Sequence, residues 1–303
     1  MGGNRIVNNT RSMNIAPERT AAALALSPGS FRRFCQLITS ELGIKMSENK
    51  LPMLQSRLQR RLRTLALDSL EAYHDYLLNS PDGAEERIHF IDAVTTNKTD
   101  FFREPQHFEY LVRTALPNLD PGRDNASAMP PWHFKLWCAG CSSGEEPYTL
   151  AMVLSEFAER RPGFSFGLLA TDISTRVLNH AQLGIYDAER IEPVPPPLRK
   201  KYILRSKDPA RAEVRLMPEL RQKISFHRLN FMDEHYGVKD MVEAIFFRNV
   251  MIYFDKPTQE AVIHKLCRHL APGGYLFVGH SESLAGLKLP VECVGSAVYR
   301  KPL

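Results

Sequence analysis

The 303 residues are 44% hydrophobic and 24% charged, which is enough apolar side chain to build cores for about two domains and excludes global disorder. A net charge of +5, from 39 Lys and Arg against 34 Asp and Glu, is too mild to name a partner by itself. No apolar run approaches the roughly 18 to 20 residues a bilayer crossing needs, and none near the start is long enough for a secretory signal, so the sequence reads as a cytoplasmic protein with no membrane insertion. Five widely spread cysteines, an odd number, point the same way, to a reducing compartment.

In chain order, residues 1–28 are polar and read as a flexible tail. Ser27-Pro28-Gly29-Ser30 punctuates a helix start. From Phe31 to about Ile91 the apolar spacing is helical, with breaks expected at Ser47-Glu48-Asn49 and Asn79-Ser80-Pro81-Asp82-Gly83; residues 29–100 are therefore expected to form an all-α domain. Within it Leu51, Leu54, Leu58, Leu62 and Leu65 make one apolar stripe, while Arg57, Arg60 and Arg61 fall together on another side. Residues 45–63 hold six basic side chains against the single acid Glu48. A solvated helix face is the plain reading of that charge. A second helical stretch, Glu104–Leu116, runs into a Pro-, Gly-, Asp- and Asn-rich segment, so 101–131 reads as a linker helix and loop.

After residue 131 the rhythm changes. Short apolar runs at Phe134–Cys138, Phe166–Ala170, Ala244–Phe247 and Tyr275–Val278 alternate with helical patterns at Glu145–Arg160, Thr175–Leu183 and Thr258–His269. That alternation predicts an α/β domain over 132–303, doubly wound, with helices on both faces of a parallel sheet. It is interrupted between Tyr186 and Lys223. There the proline run Ile191–Pro197 and the period-two segment Glu213–Met217 predict a small inserted antiparallel β-subdomain at about 187–223.

The chemistry gathers at strand ends, where ligands of open α/β sheets bind. The first strand passes through Cys138-Ala139-Gly140-Cys141-Ser142-Ser143-Gly144 straight into Glu145-Glu146. This is not the G-x-G-x-x-G spacing of dinucleotide sites. Two carboxylates there would repel a pyrophosphate and suit a cationic ligand, or they simply stabilise the helix start. Asp172 ends the second strand, as a ribose acceptor or as the cap of the next helix. Asn230 beside Phe231 could pack against a purine, and Asn249 ends another strand on the same rim. The Cys138/Cys141 pair lacks the further Cys or His ligands of a zinc site and reads as packing groups, so no metal is expected. His280 near Ser281 lacks a G-x-S-x-G elbow and reads as structural. Jointly the strand ends suit a ribose-bearing, positively charged cofactor, a description that S-adenosyl-L-methionine answers.

Thr96–Glu104, Ser143–Tyr148, Ala170–Ile173, Phe247–Asp255 and Gly279–Leu284, in that order, resemble the motifs of the chemotaxis receptor methyltransferase (CheR) family. The resemblance spans about Ser30 to Arg300. It implies a helical N-terminal domain and a Rossmann-like methyltransferase domain with a β-subdomain. The activity it implies is protein-glutamate O-methylation, with S-adenosyl-L-homocysteine as product. Carried over by position, the cofactor contacts would be Asn97, Thr99, Arg103, Glu146, Asp172, Asn230, Phe231, Asn249 and Val250. Arg103 and Tyr253 would stand closest to the methyl being moved. Arg57, Arg60 and Arg61 would dock the acidic cytoplasmic helical bundle of a chemoreceptor, with the enzyme as a monomer and with no nucleic acid partner. The family's β-subdomain can hold a receptor C-terminal peptide; here Tyr202–Pro209 lacks the glycines associated with that mode, which leaves it open.

Overall fold

The computed structural model describes residues 26–123, 130–208 and 210–303. The tail expected over 1–28 thus lies outside the described residues except for its last three. Of these, Leu26 is buried and Ser27 caps the first helix by accepting from the Ser30 amide. Helix α1 (Pro28–Leu42) stops at Gly43, which takes the left-handed conformation (φ 67°). It is followed by α2 (Leu51–Leu65), α3 (Leu70–Asn79) and α4 (Gly83–Val94). Leu54, Leu58 and Leu62 of the predicted stripe are fully buried in a core with Phe34, Ile38, Tyr73 and Phe90. The sequence reading missed the break between α2 and α3. Ala66 goes left-handed (φ 56°) and Ser69 caps α3 through the Ala72 amide, a turn made without glycine or proline.

The expected linker helix appears as α5 (Gln106–Tyr110), a π turn (Leu111–Ala115) and α6 (Leu116–Leu119), ending three residues later than expected because Pro117 fits the first turn of α6. The Pro- and Gly-rich segment that follows is tied down at both described ends. Arg161, only 5% exposed, donates to the Asp120 carboxylate (2.9 and 2.7 Å) and to the Pro130 carbonyl (2.9 Å). Residues 124–129 between them lie outside the described residues.

The second half runs β1 (Trp132–Ala139), α7 (Glu145–Ala158), β2 (Phe164–Asp172), α8 (Thr175–Leu183), β3 (Ile185–Asp187), α9 (Pro196–Tyr202), β4 (Ile203–Arg205), β5 (Glu213–Leu216), α10 (Pro218–Arg221), β6 (Ile224–Arg228), β7 (Val242–Phe247), α11 (Lys256–His269), β8 (Leu270–Val278), β9 (Glu292–Gly295) and β10 (Val298–Arg300). The main sheet has the order β6-β2-β1-β7-β8-β10-β9, parallel through β8 and closed by the antiparallel hairpin β9–β10, which the sequence reading did not foresee. One face packs α7 and the π turn over Phe134, Phe166 and Phe246. The other buries Ile245, Phe247 and Leu276 under Val262, Ile263 and Leu266 of α11.

Helices lie on both faces, as expected of a doubly wound domain, but their cover is unequal. The crossover from β6 to β7 carries no helix, so His133, Lys135, Ser225 and His227 stay exposed or half-buried along an open groove on the second face. The insertion is a three-stranded antiparallel sheet, β3-β5-β4, that also carries α9 and α10. It begins two residues before the expected boundary, and the proline run enters α9 at its first turn, where proline is tolerated. Among the described residues no helix is long and apolar enough to cross a membrane.

Because Leu58 is fully buried between α2 and its neighbours, Leu58→Ala is expected to cost about 2 to 5 kcal/mol in urea unfolding.

Candidate functional site

The carboxyl ends of β1, β2 and β7 open onto a cavity of about 290 Å³ that the segment after α4 and the end of α1 close over. Its floor is the turn after β1. Gly140 (φ 85°) has no room for a side chain, since a Cβ would stand 2.5 Å from Val250 Cγ2. The Gly140 and Cys141 amides both donate to the Thr171 carbonyl (2.7 and 2.9 Å), folding the loop back against β2. The glycine therefore lets Val250, itself a wall residue, pack directly against the turn.

Asp172 spans two loops. Its carboxylate accepts from the Ser142 amide (2.9 Å) and the Ser174 amide (3.0 Å), and burial raises its pKa despite those donors. The cap of α8 is Ser174, through the Val177 amide. The capping alternative for Asp172 therefore falls away, and its side chain is left on the cavity wall.

The pair Glu145-Glu146 is split by helix geometry, because adjacent residues point about 100° apart. Glu146 lines the cavity, accepting from Arg248 (2.8 Å) and the Cys138 thiol (3.2 Å). Glu145 is 1% exposed, turned away from the cavity, and paired with Arg190 (2.5 Å) and Ser143 (2.7 Å). Only one of the two carboxylates is thus available to a ligand. Cys138 and Cys141 are both buried with raised pKa values, caused first by burial, which suits packing.

Asn249 sits at φ 59° after β7, held from two sides. Its amide N–H donates to Glu282 (2.8 Å) and its side-chain amide to Glu104 (3.3 Å). Glu282, buried, also accepts from the Gly279 amide (2.6 Å) and the Ile252 amide (3.3 Å), so one carboxylate shapes the whole loop that carries Asn249, Val250 and Tyr253. Burial raises the Glu282 pKa against these donors. Arg248, buried, bonds Glu146, Glu104 (3.1 Å) and the Arg103 carbonyl. Burial works to raise the Glu104 carboxyl, but Arg248 and the Asn249 and His280 donors hold it below the usual range. The Tyr253 pKa is raised by burial, and Arg103 opposes the shift. The Tyr253 carbonyl accepts from the Lys45 amide (2.9 Å), which fastens the loop to the helical unit.

All ten positions carried over from the resemblance for cofactor and methyl, Tyr253 included, line this one cavity. Asn230 is a qualified case. Its amide is already used, donating to the Glu41 carbonyl (2.7 Å) and accepting from the Met232 amide (3.0 Å), so it shapes the wall more than it offers free polar atoms. The sequence reading overlooked Arg248 and Glu282, although each lay inside a quoted motif. A cation directly after the apolar strand Val242–Phe247 was the available signal for Arg248. It also overlooked Leu42, Ile44, Thr95 and Thr96, by which the helical unit closes the cavity.

The arginine trio does not form one exposed face. Arg61 makes a bidentate bond with buried Glu86 (2.9 and 2.6 Å), which also accepts from Tyr73. Arg57 donates to the carbonyls of Ala93, Val94 and Thr95 (3.2, 3.1 and 2.9 Å), capping α4 at the cavity rim. Of the three, Arg60 is exposed, as are Lys45 and Arg63 nearby in sequence and Lys98 after α4.

Residues 29–95 match the family model described as "CheR methyltransferase, all-alpha domain", and residues 97–300 match "CheR methyltransferase, SAM binding domain". The chain is similar to the "Chemotaxis protein methyltransferase" of Salmonella typhimurium, 38% identical over 276 residues that make up 91% of each chain. It is likewise 38% identical to that of Escherichia coli, over 91% of this chain and 92% of the relative. Against "Chemotaxis protein methyltransferase 2" of Pseudomonas aeruginosa the identity is 39%, over 85% of this chain and 87% of the relative.

A carboxylate whose folded pKa is raised contributes stability that is present below its unfolded pKa and lost as pH rises through the folded value. Glu282 starts from an ordinary value of 4.5. Urea midpoints of Glu282→Gln, relative to the unsubstituted chain, should therefore shift in the variant's favour as pH climbs above that value; a difference that stays flat with pH would refute the assignment.

Proposed function

The chain belongs to the CheR methyltransferase family, and on that premise we propose that it moves the methyl group of S-adenosyl-L-methionine onto glutamate side chains in the cytoplasmic helical bundle of chemoreceptors, leaving S-adenosyl-L-homocysteine. The observation that carries this reading is the meeting of all ten family-matched positions in one cavity at the strand ends. The residues present fit the cofactor. Gly140 in the turn after β1 lines the cavity, Asp172 offers a carboxylate to ribose hydroxyls, Phe231 and Val250 offer apolar surface to adenine, and Glu146 places a negative charge toward a cation.

When bound, S-adenosylmethionine supplies an electrophilic methyl on a sulfonium sulfur. A glutamate acceptor has a pKa of about 4.3 and is already anionic at neutral pH, so no general base is needed. In keeping with this, no histidine lines the cavity among the described residues. The residues then have to position and to exclude water. Arg103, whose Nη1 donates to the Lys98 carbonyl (3.1 Å), and Tyr253 stand at the same wall and are proposed to orient the acceptor carboxylate.

For the partner, exposed Arg60 with Lys45, Arg63 and Lys98 offers positive charge to an acidic bundle. Arg57 and Arg61 are not proposed as direct contacts, because their guanidinium groups are spent inside the fold. The outer edge of β4 pairs with no strand among the described residues, which is the geometry that strand addition by a receptor C-terminal peptide requires.

Labelled cofactor incubated with receptor cytoplasmic fragments should yield label that is released as methanol in base, the mark of an ester; base-stable label would sink the glutamate assignment. Tyr253→Phe should lower turnover about tenfold or more while S-adenosylhomocysteine affinity changes by less than about threefold. Arg60→Glu should raise the KM for receptor about fivefold and leave cofactor affinity alone; equal losses in both would contradict docking through α2.

A further inference from the structure

Resting on the cofactor reading above, we infer that the inserted β-subdomain is part of the cofactor site, and that Arg190 is the positioning residue through which it acts. Arg190 lies in the 3-10 turn Ala188–Ile191 that follows β3, and it lines no part of the cavity. Its guanidinium is aimed at two segments that do. Nη2 donates to the Thr99 carbonyl (2.7 Å) and to Glu145 Oε1 (2.5 Å), and Nη1 donates to the Asp100 carboxylate (3.0 Å). Thr99 is on the cavity wall, and Glu145 directly precedes Glu146, which is also on it. A planar fork with fixed donor directions therefore sets the separation between the Asn97–Asp100 segment and the first turn of α7.

A second strut comes from the same subdomain. The Tyr186 hydroxyl on β3 donates to the Ser143 carbonyl (2.7 Å), and its ring meets Phe101 edge-on at 5.1 Å. Gly144 (φ 100°) leaves room for that hydroxyl, since a Cβ there would stand 2.7 Å from it. The Gly140–Gly144 turn is thus held by Asp172 on the sheet side, through the Ser142 amide, and by Tyr186 and Arg190 on the insertion side.

Burial decides which of these contacts matters. The Glu145 carboxylate is 1% exposed, whereas the Arg190 side chain is 42% exposed. Much of Arg190 is in water, but the anion it neutralises is not. Without it a buried charge loses its cation, and the Thr99 carbonyl loses a donor at the same time. The two effects can be separated. Neutralising Glu145 removes the charge problem and leaves the Thr99 segment unheld.

The test is calorimetric titration of S-adenosylhomocysteine into the full chain and its Arg190→Met, Arg190→Lys and Glu145→Gln/Arg190→Met variants, with melting temperatures alongside. Arg190→Met is expected to weaken binding about tenfold or more, the scale of one lost hydrogen bond to a charged donor. Lysine, a single-point donor, should recover only part of it. The double variant should regain the melting temperature yet keep the weakened affinity. Saturating S-adenosylmethionine should bring its turnover on receptor fragments back to within about twofold, because the loss is in binding. Unchanged affinity in Arg190→Met, or full affinity regained by the double variant together with its melting temperature, would overturn the positioning role and leave Arg190 as the counter-ion of Glu145. Absence of any uptake by the unsubstituted chain would instead overturn the cofactor reading itself.

Discussion

A guanidinium buried at the carboxyl end of the central sheet constrains everything around it. Arg248 follows directly on the apolar strand β7 and is 4% exposed. A charge in that position must be met by anions, and the two that meet it come from distant parts of the chain. Glu146 lies in the first turn of α7, and Glu104 lies in the segment that joins the helical unit to the sheet. Such a buried cluster adds little net stability compared with an apolar alternative, because desolvation offsets most of the attraction. It does fix geometry. With Arg248 in place, the start of α7, the Arg103–Glu104 backbone and the Asn249 amide have a single compatible arrangement, and the cavity walls follow from it.

The same logic assigns opposite duties to neighbouring acids. Glu145 and Glu146 are adjacent in sequence and face opposite ways, one tied to the inserted subdomain through Arg190, the other lining the cavity. Glu282 is a third case, a carboxylate surrounded by backbone N–H groups that spends its charge on the shape of the loop carrying Asn249 and Tyr253. Glu145 and Glu282 thus serve as structure so that Glu146 can face the cavity, at a cost in stability that such a site tolerates.

The helical unit has a larger share in the site than a docking module would. Leu42, Ile44, Thr95 and Thr96 close the cavity, and the Lys45 amide and Arg57 bind backbone at its rim. If the proposed docking on α2 holds, an acidic partner would rest beside the cavity proposed for the reaction. What brings the helical unit to the cavity is the packing of α2 against α4 and of α4 against α8.

Local chemistry was legible in the sequence, because it depends on neighbours a few residues away. Alternating apolar runs gave the parallel sheet, the leucine stripe of α2 gave the helical core, the proline run marked the insertion, and the small-residue loop into Glu145-Glu146 marked the floor of the cavity. The family motifs then named the wall residues that the structure gathers there. What sequence could not decide were matters of direction and long-range pairing. Spacing along α2 put Arg57, Arg60 and Arg61 on one side, but only tertiary packing brought Glu86 and the end of α4 to two of them and left Arg60 in water. Pattern could not separate Glu145 from Glu146, or show that Asp172 braces Ser142 while Ser174 takes the cap. Nor could it show that β6 returns to β7 without a helix, leaving part of one sheet face open. A side chain's partner is set by where distant segments meet in space, and no local period in the sequence carries that information.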